Sequence, residues 1–168
     1  MIIAIDNMFS KTNIKQATAL LASYKSKGLK LAAAESCTGG LITALLTETP
    51  GSSRVFECGF VTYSNQSKID LLGVSAELIE QYGSVSDEVA RAMAQGVIAK
   101  TGLDIAVSVT GIAGPSGGSA EKPVGLVYIA VASKSKIISE KNIFSGDRQS
   151  IRLSSVAHAL NMLQKFQI

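Results

Sequence analysis

A chain of 168 residues, 46% hydrophobic but only 5% aromatic and without Trp, can bury one full-sized core and must fill it with Ala, Val, Ile and Leu. Its net charge of +3 is too weak to argue for direct nucleic-acid binding, no apolar run is long enough to span a membrane, and "MIIAIDNMFSK" lacks the basic start and long apolar centre of a secretion signal. A cytoplasmic protein with reduced cysteines is expected, and Cys37 and Cys58 form no zinc-type cluster.

"NIKQATALLASYKSKG" (13–28) carries apolar residues at helical spacing and ends on Gly28, a helix stop signal. "LKLAAAE" (29–35) reads as a buried strand. "TGGLITALLTETPG" reads as a helix from about Thr38 that stops near Pro50 and Gly51. "VFECGFVTYS" (55–64) is a second strand. Ser64 caps a short helix, residues 75–83 form another, and 84–102 form a longer one capped by Ser86, with Asp87 and Glu88 in its first turn. "LDIAVSVTG" (103–111) reads as a central strand and "IAGPSGGSAEKPVG" (112–125) as a glycine-rich loop. "LVYIAVAS" and "KIISEKNIF" flank the polar turn "KSK" as a hairpin. "DRQSIRLSSVAHALNMLQKF" closes the chain as a helix with Leu153, Val156, Ala157, Leu160 and Leu163 on one face. No linker or repeat interrupts this order. The expected fold is a single three-layer α/β domain, a mixed sheet with helices on both faces.

Three segments carry candidate chemistry. Ser36 lies where a strand hands over to a helix, a place where a hydroxyl can attack a carbonyl while free helix N–H groups receive the oxyanion. Gly39 and Gly40 would let the backbone approach a ligand. The plainer reading is that Ser36 or Thr38 caps the helix. A serine nucleophile needs a base. The single histidine, His158, points away from the apolar face of the last helix and reads as a solvated surface residue. Lys68, in the first turn of the helix after the second strand, is the alternative. Burial beside a helix N-terminus would lower its pKa and make it a usable amine, with Tyr63 placed to relay or orient a proton. Otherwise it is a solvated first-turn residue. In "VTGIAGPSGG", Thr110 and the amides around Gly111, Ala113 and Gly114 could form an anion nest, or merely a turn. Arg148 and Arg152 lie at helical spacing near the start of the last helix, where Arg148 suits phosphate and either suits a surface ion pair.

"AESCTGG", "YSNQSK", "SVTGIAGPSGG", "KPVGLVYIAV" and "FSGDR", in this order, resemble the C-terminal domain of the CinA competence/damage-inducible family over roughly Asn13 to Leu163. Residues 1–12 are unlike the family and are expected to be an atypical extension, and the family's molybdopterin-binding-like domain is expected to be absent. The resemblance implies amide hydrolysis of nicotinamide mononucleotide to nicotinate mononucleotide and ammonia. It implies Ser36 as nucleophile, Lys68 as base and Tyr63 as helper. It places Thr38, Gly39, Gly40, Asn65, Thr110, Gly111, Ala113, Gly114 and Arg148 around a small nucleotide substrate, with no metal and no cofactor. A homo-oligomer is expected. The competing readings are a non-catalytic nucleotide-binding module working through a protein partner, and an amidase or esterase for another small substrate.

Overall fold

The computed structural model describes residues 8–167. Helix α1 (Lys11–Ser26) starts where the Ser10 hydroxyl accepts the Asn13 N–H. Strand β1 (Leu31–Glu35) leads through a turn to α2 (Leu41–Thr47), and a single 3-10 turn (Ser52–Arg54) precedes β2 (Phe56–Val61). Three helices follow, α3 (Asn65–Leu72), α4 (Ala76–Tyr82) and α5 (Asp87–Thr101), capped by the hydroxyls of Ser64, Ser75 and Ser86. Strands β3 (Ile105–Gly111), β4 (Leu126–Ala132) and β5 (Ile137–Ile143) precede α6 (Arg148–Lys165), whose cap is the Asp147 carboxylate.

The five strands form one sheet in the order β2-β1-β3-β4-β5. β1 runs parallel to both β2 and β3, while β4 and β5 complete the sheet antiparallel, so the sheet is mixed. Alternation along β1 sends Leu31 and Ala33 into the core under α1, α2 and α6, and Ala32 and Ala34 into the core under α3, α4 and α5. Small side chains on a doubly covered strand let both helical layers approach closely. Gly59 serves the same end on β2: a Cβ there would run into the Thr43 hydroxyl of α2. The chain crosses from β1 to β2 over one face and from β2 to β3 over the other. The carboxyl ends of β1 and β3 therefore lie at a topological switch point, where a crevice opens in sheets of this kind.

Three local expectations are corrected. The helix expected from Thr38 begins at Leu41, because Gly39 (φ 59°) and Gly40 (φ 97°) hold left-handed backbone that ends the turn rather than continuing a helix. On α6 the buried stripe is Ile151, Ser155, Val156, Ala159, Leu160, Met162 and Leu163; Leu153 and Ala157 are only half-buried on its flank. His158 is not freely solvated. Its Nε2 lies 2.6 Å from Glu140 Oε2 on β5, and its ring meets Phe144 edge-on. Among the described residues no helix is long and apolar enough to cross a membrane. The atypical extension at 1–12 lies mostly outside the described residues.

Candidate active site

The register Glu35↔Val61 and Glu35↔Val109 brings the ends of β2, β1 and β3 level, so Thr62, Ser36 and Thr110 follow side by side. Alternation beyond β1 then divides three neighbours. Glu35 and Cys37 keep the parity of Leu31 and Ala33, toward α2 and α6, whereas Ser36 keeps that of Ala32 and Ala34, toward α3. On that side Lys68 of α3 is waiting. It is 1% exposed, and its Nζ lies 3.2 Å from Ser36 Oγ and 2.9 Å from the Thr62 carbonyl. Among the described residues no carboxylate stands within ion-pair distance of it. Burial pushes the Lys68 pKa below the ordinary lysine value, because desolvation disfavours the ammonium form. An ammonium would also bring three N–H donors to two acceptors.

Glu35 overturns one expectation. It is fully buried and accepts four donors: the N–H groups of Gly40 (3.0 Å), Ile42 (3.1 Å) and Thr43 (2.8 Å), and the Thr43 hydroxyl (2.8 Å). The start of α2 is therefore filled by the protein's own carboxylate and is not a bare pole open to an oxyanion. The other amides of the turn are also accounted for. Ser36 N–H bonds the Val109 carbonyl, Gly39 N–H the Ser36 carbonyl, and Leu41 N–H the Thr38 carbonyl. From Ser36 to Thr43, only the amides of Cys37 and Thr38 meet no acceptor among the described residues.

Ser36, Cys37, Tyr63, Lys68, Thr110, Gly111, Ala113, Gly114 and Arg148 line one cavity of about 310 Å3. Ser84, Val85, Ile112, Ser116 and Gly117 complete its wall. The Thr110 hydroxyl donates to the Ser84 carbonyl at 2.7 Å, and Lys122 Nζ donates to the carbonyls of Tyr82 and Val85, so the segment before α5 is tied to the glycine-rich loop. Exposed Arg148 donates to the Gly114 carbonyl (2.7 Å) and the Tyr63 hydroxyl (2.9 Å). The Tyr63 hydroxyl is thus engaged by Arg148, not by Lys68 or Ser36. Arg152, one turn on, faces elsewhere: its Nε donates to the Cys37 carbonyl (3.1 Å) and its Nη2 to the Thr38 carbonyl (2.7 Å). Thr38 is buried with its hydroxyl unpartnered among the described residues, and Thr38, Gly39, Gly40 and exposed Asn65 stand outside the cavity lining. Behind Arg148 a second hollow of about 520 Å3, walled by Met8, Leu41, Arg152 and Leu153, reaches neither Ser36 nor Lys68.

Cys37 adjoins Ser36, yet burial pushes its thiol up to about 12, away from the reactive thiolate. Cys58 packs on the opposite face of the sheet, and both thiols are free. Among the described residues no three His, Cys, Asp or Glu side chains gather into a group fit to hold a metal. Glu35 and Ser84 were not legible as site residues, and Arg152 was legible only as a neighbour of Arg148 suited to a surface ion pair. Strand parity was the available signal for Glu35; Ser84 lies 26 positions from Thr110 and carries no local signal.

The family model of the CinA C-terminal domain matches residues 13–167. A nicotinamide-nucleotide amidohydrolase PncC of Enterobacter agglomerans is 53% identical over 140 residues, covering 83% of this chain and 85% of that protein. A CinA-like protein of Geotalea daltonii is 52% identical over 148 residues, 88% of this chain but 36% of its own length. The chain spans about a third of the length of most such relatives, 34% for two from Caldicellulosiruptor. The crystal structure of the competence/damage inducible protein CihA from Agrobacterium tumefaciens superposes with a TM-score of 0.92 at 43% identity, over 95% of this chain and 98% of that one.

Proposed function

The chain belongs to the CinA C-terminal domain family, and on that premise we propose that it hydrolyses the carboxamide of nicotinamide mononucleotide to the acid and ammonia. The reading is taken from the Enterobacter agglomerans amidohydrolase it resembles. The observation that carries it is a buried lysine amine 3.2 Å from a serine hydroxyl, with no anionic partner among the described residues. A neutral Lys68 donates one N–H to the Thr62 carbonyl and turns its lone pair to the Ser36 O–H. Ser36 Oγ attacks the carboxamide carbon, its proton passes to Nζ, and the carbonyl electron pair moves onto oxygen. Collapse of the adduct breaks the C–N bond. Nζ returns the proton to nitrogen, ammonia leaves, and an ester remains on Ser36. Water then attacks that ester, giving its proton to Nζ, which passes it to the departing Ser36 Oγ as the acid is released.

The rest of the cavity suits a nucleotide. The Ala113 and Gly114 amides meet no acceptor among the described residues and lie beside Arg148, so the glycine-rich loop and the guanidinium together offer an anion site for the phosphate. On this reading the partner is a small nucleotide. Ammonia release from nicotinamide mononucleotide, with the acid product resolved by chromatography, tests the reading. Wild type should turn over, and Ser36→Ala should fall by at least about 10³-fold while remaining folded. Equal ammonia release from the two proteins would remove Ser36 from the reaction.

A further inference from the structure

Arg152 touches nothing that reacts. It lies on α6, 116 positions from Ser36, outside the cavity that holds Ser36 and Lys68. Its guanidinium takes two consecutive carbonyls of the turn after the nucleophile, those of Cys37 and Thr38, at 3.1 and 2.7 Å. A Cβ on Gly39 would come within 3.3 Å of Nη2, so the turn is closed against the guanidinium. In a trans peptide the carbonyl and the following N–H point in opposite directions. Holding the Cys37 carbonyl toward α6 therefore turns the Thr38 N–H away from α6. The Cys37 N–H is set from the other side, because the Ser36 carbonyl of the same peptide is held by Gly39 N–H at 3.1 Å. Among the described residues these two amides find no acceptor once Glu35 has filled the start of α2.

We propose that Arg152 is a positioning residue, and that the oxyanion formed at Ser36 is received by the cavity-lining Cys37 amide, held in place by the Gly39–Ser36 bond on one side and by Arg152 on the Cys37 carbonyl on the other. The inference rests on acyl chemistry at Ser36 but not on the identity of the amide substrate. A planar fork is needed, because one group must reach two adjacent carbonyls through Nε and Nη2.

The test is the rate at which a fluorophosphonate labels Ser36, followed by intact mass. Ser36 Oγ bonds to phosphorus as the P–F bond breaks, fluoride leaves, the serine proton passes to Lys68, and the developing charge on the phosphoryl oxygen calls on the same donors. Arg152→Gln and Arg152→Lys are compared with wild type, with circular dichroism and thermal unfolding as the check on folding. Loss of one oxyanion donor costs about 10²–10³-fold, so a misaimed amide in Arg152→Gln should slow labelling by about 10- to 10³-fold, with Arg152→Lys intermediate. In nicotinamide mononucleotide turnover the same variants should lose kcat with KM within about threefold. Free guanidinium ion should restore labelling to a folded Arg152→Ala but not to Ser36→Ala. Labelling within twofold of wild type in folded Arg152→Gln, or a raised KM at unchanged kcat, overturns the inference. Arginine-dependent labelling of Ser36 in a wild type that leaves nicotinamide mononucleotide intact would overturn the substrate reading alone. Absence of Ser36 labelling in wild type would overturn both.

Discussion

Replacing Glu35 should damage the protein more than replacing most charged residues, and the structure sets the size of the effect. Its carboxylate is the acceptor for three amides and one hydroxyl at the start of α2. The Ile42 amide is buried, and losing its partner costs about 1–3 kcal/mol. The Gly40 and Thr43 groups are half-buried, so water recovers part of their loss, at about 1 kcal/mol each. Glu35→Ala should therefore cost about 4–6 kcal/mol, a large share of the ~5–15 kcal/mol typical of a folded domain. Glu35→Gln keeps one oxygen but sets an NH2 against the N–H of Thr43, whose hydroxyl can rotate to accept, or against the Gly40 and Ile42 N–H groups, and should cost about 1–3 kcal/mol. Urea unfolding measures both, with an unchanged slope showing that the midpoint shift is a stability change. A Glu35→Gln protein within 0.5 kcal/mol of wild type would refute the reading of Glu35 as the tie that holds the nucleophile turn to α2.

Cys37→Ala should retain most turnover, since its thiol is buried with its pKa raised to about 12; loss beyond tenfold in a folded variant would move the nucleophile to sulfur. In the proposed mechanism the neutral Lys68 amine is the active form, and burial lowers its pKa, so kcat/KM should rise with pH and level off above the shifted value, while Lys68→Arg stays inactive throughout; a flat profile, or an arginine variant with more than a tenth of wild-type activity near pH 7, would exclude lysine as base. The same shift makes the folded state bind fewer protons than the unfolded chain, so the stability deficit of wild type relative to Lys68→Met should be complete below the folded pKa and shrink as pH climbs toward ~10.4. Nicotinamide riboside, which lacks the phosphate, should be a poorer substrate by about 10- to 150-fold for one lost charge-assisted contact, and equal kcat/KM for riboside and nucleotide would remove the anion site from the glycine-rich loop and Arg148.

Much of the frame was legible because it rests on local rules. Ser64 and Ser86 cap their helices as their positions before apolar periodicity imply, and "KSK" turns a hairpin between two β-rich runs. The pairing of Ser36 with Lys68 was reachable as chemistry, since a serine at a strand end needs a base and the one histidine lies on the wrong helix face. What failed depended on tertiary partners. Thr38 resembles a helix cap, but the two glycines after it take left-handed backbone, and the cap function passes to a carboxylate reaching forward from β1. Arg148 and Arg152 are one helical turn apart and look alike in sequence. Only the docking of α6 gives one to the cavity rim and the other to the turn behind Ser36.

The parity of β1 connects these observations. Three consecutive residues need three different environments: Glu35 a ring of amide donors, Ser36 an amine, and Cys37 a dry core. A strand covered on both faces supplies them because successive side chains leave on opposite sides. The α2 and α6 layer then holds the turn rigid, through Glu35 from below and Arg152 from behind. The α3 layer contributes the Lys68 amine and the burial that lowers its pKa. Rigidity of the nucleophile turn and basicity of the lysine are thus set by different helical layers that meet only at Ser36. Weakening the Glu35 or Arg152 ties should therefore disturb how well charge is received without altering the pH at which Lys68 loses its proton.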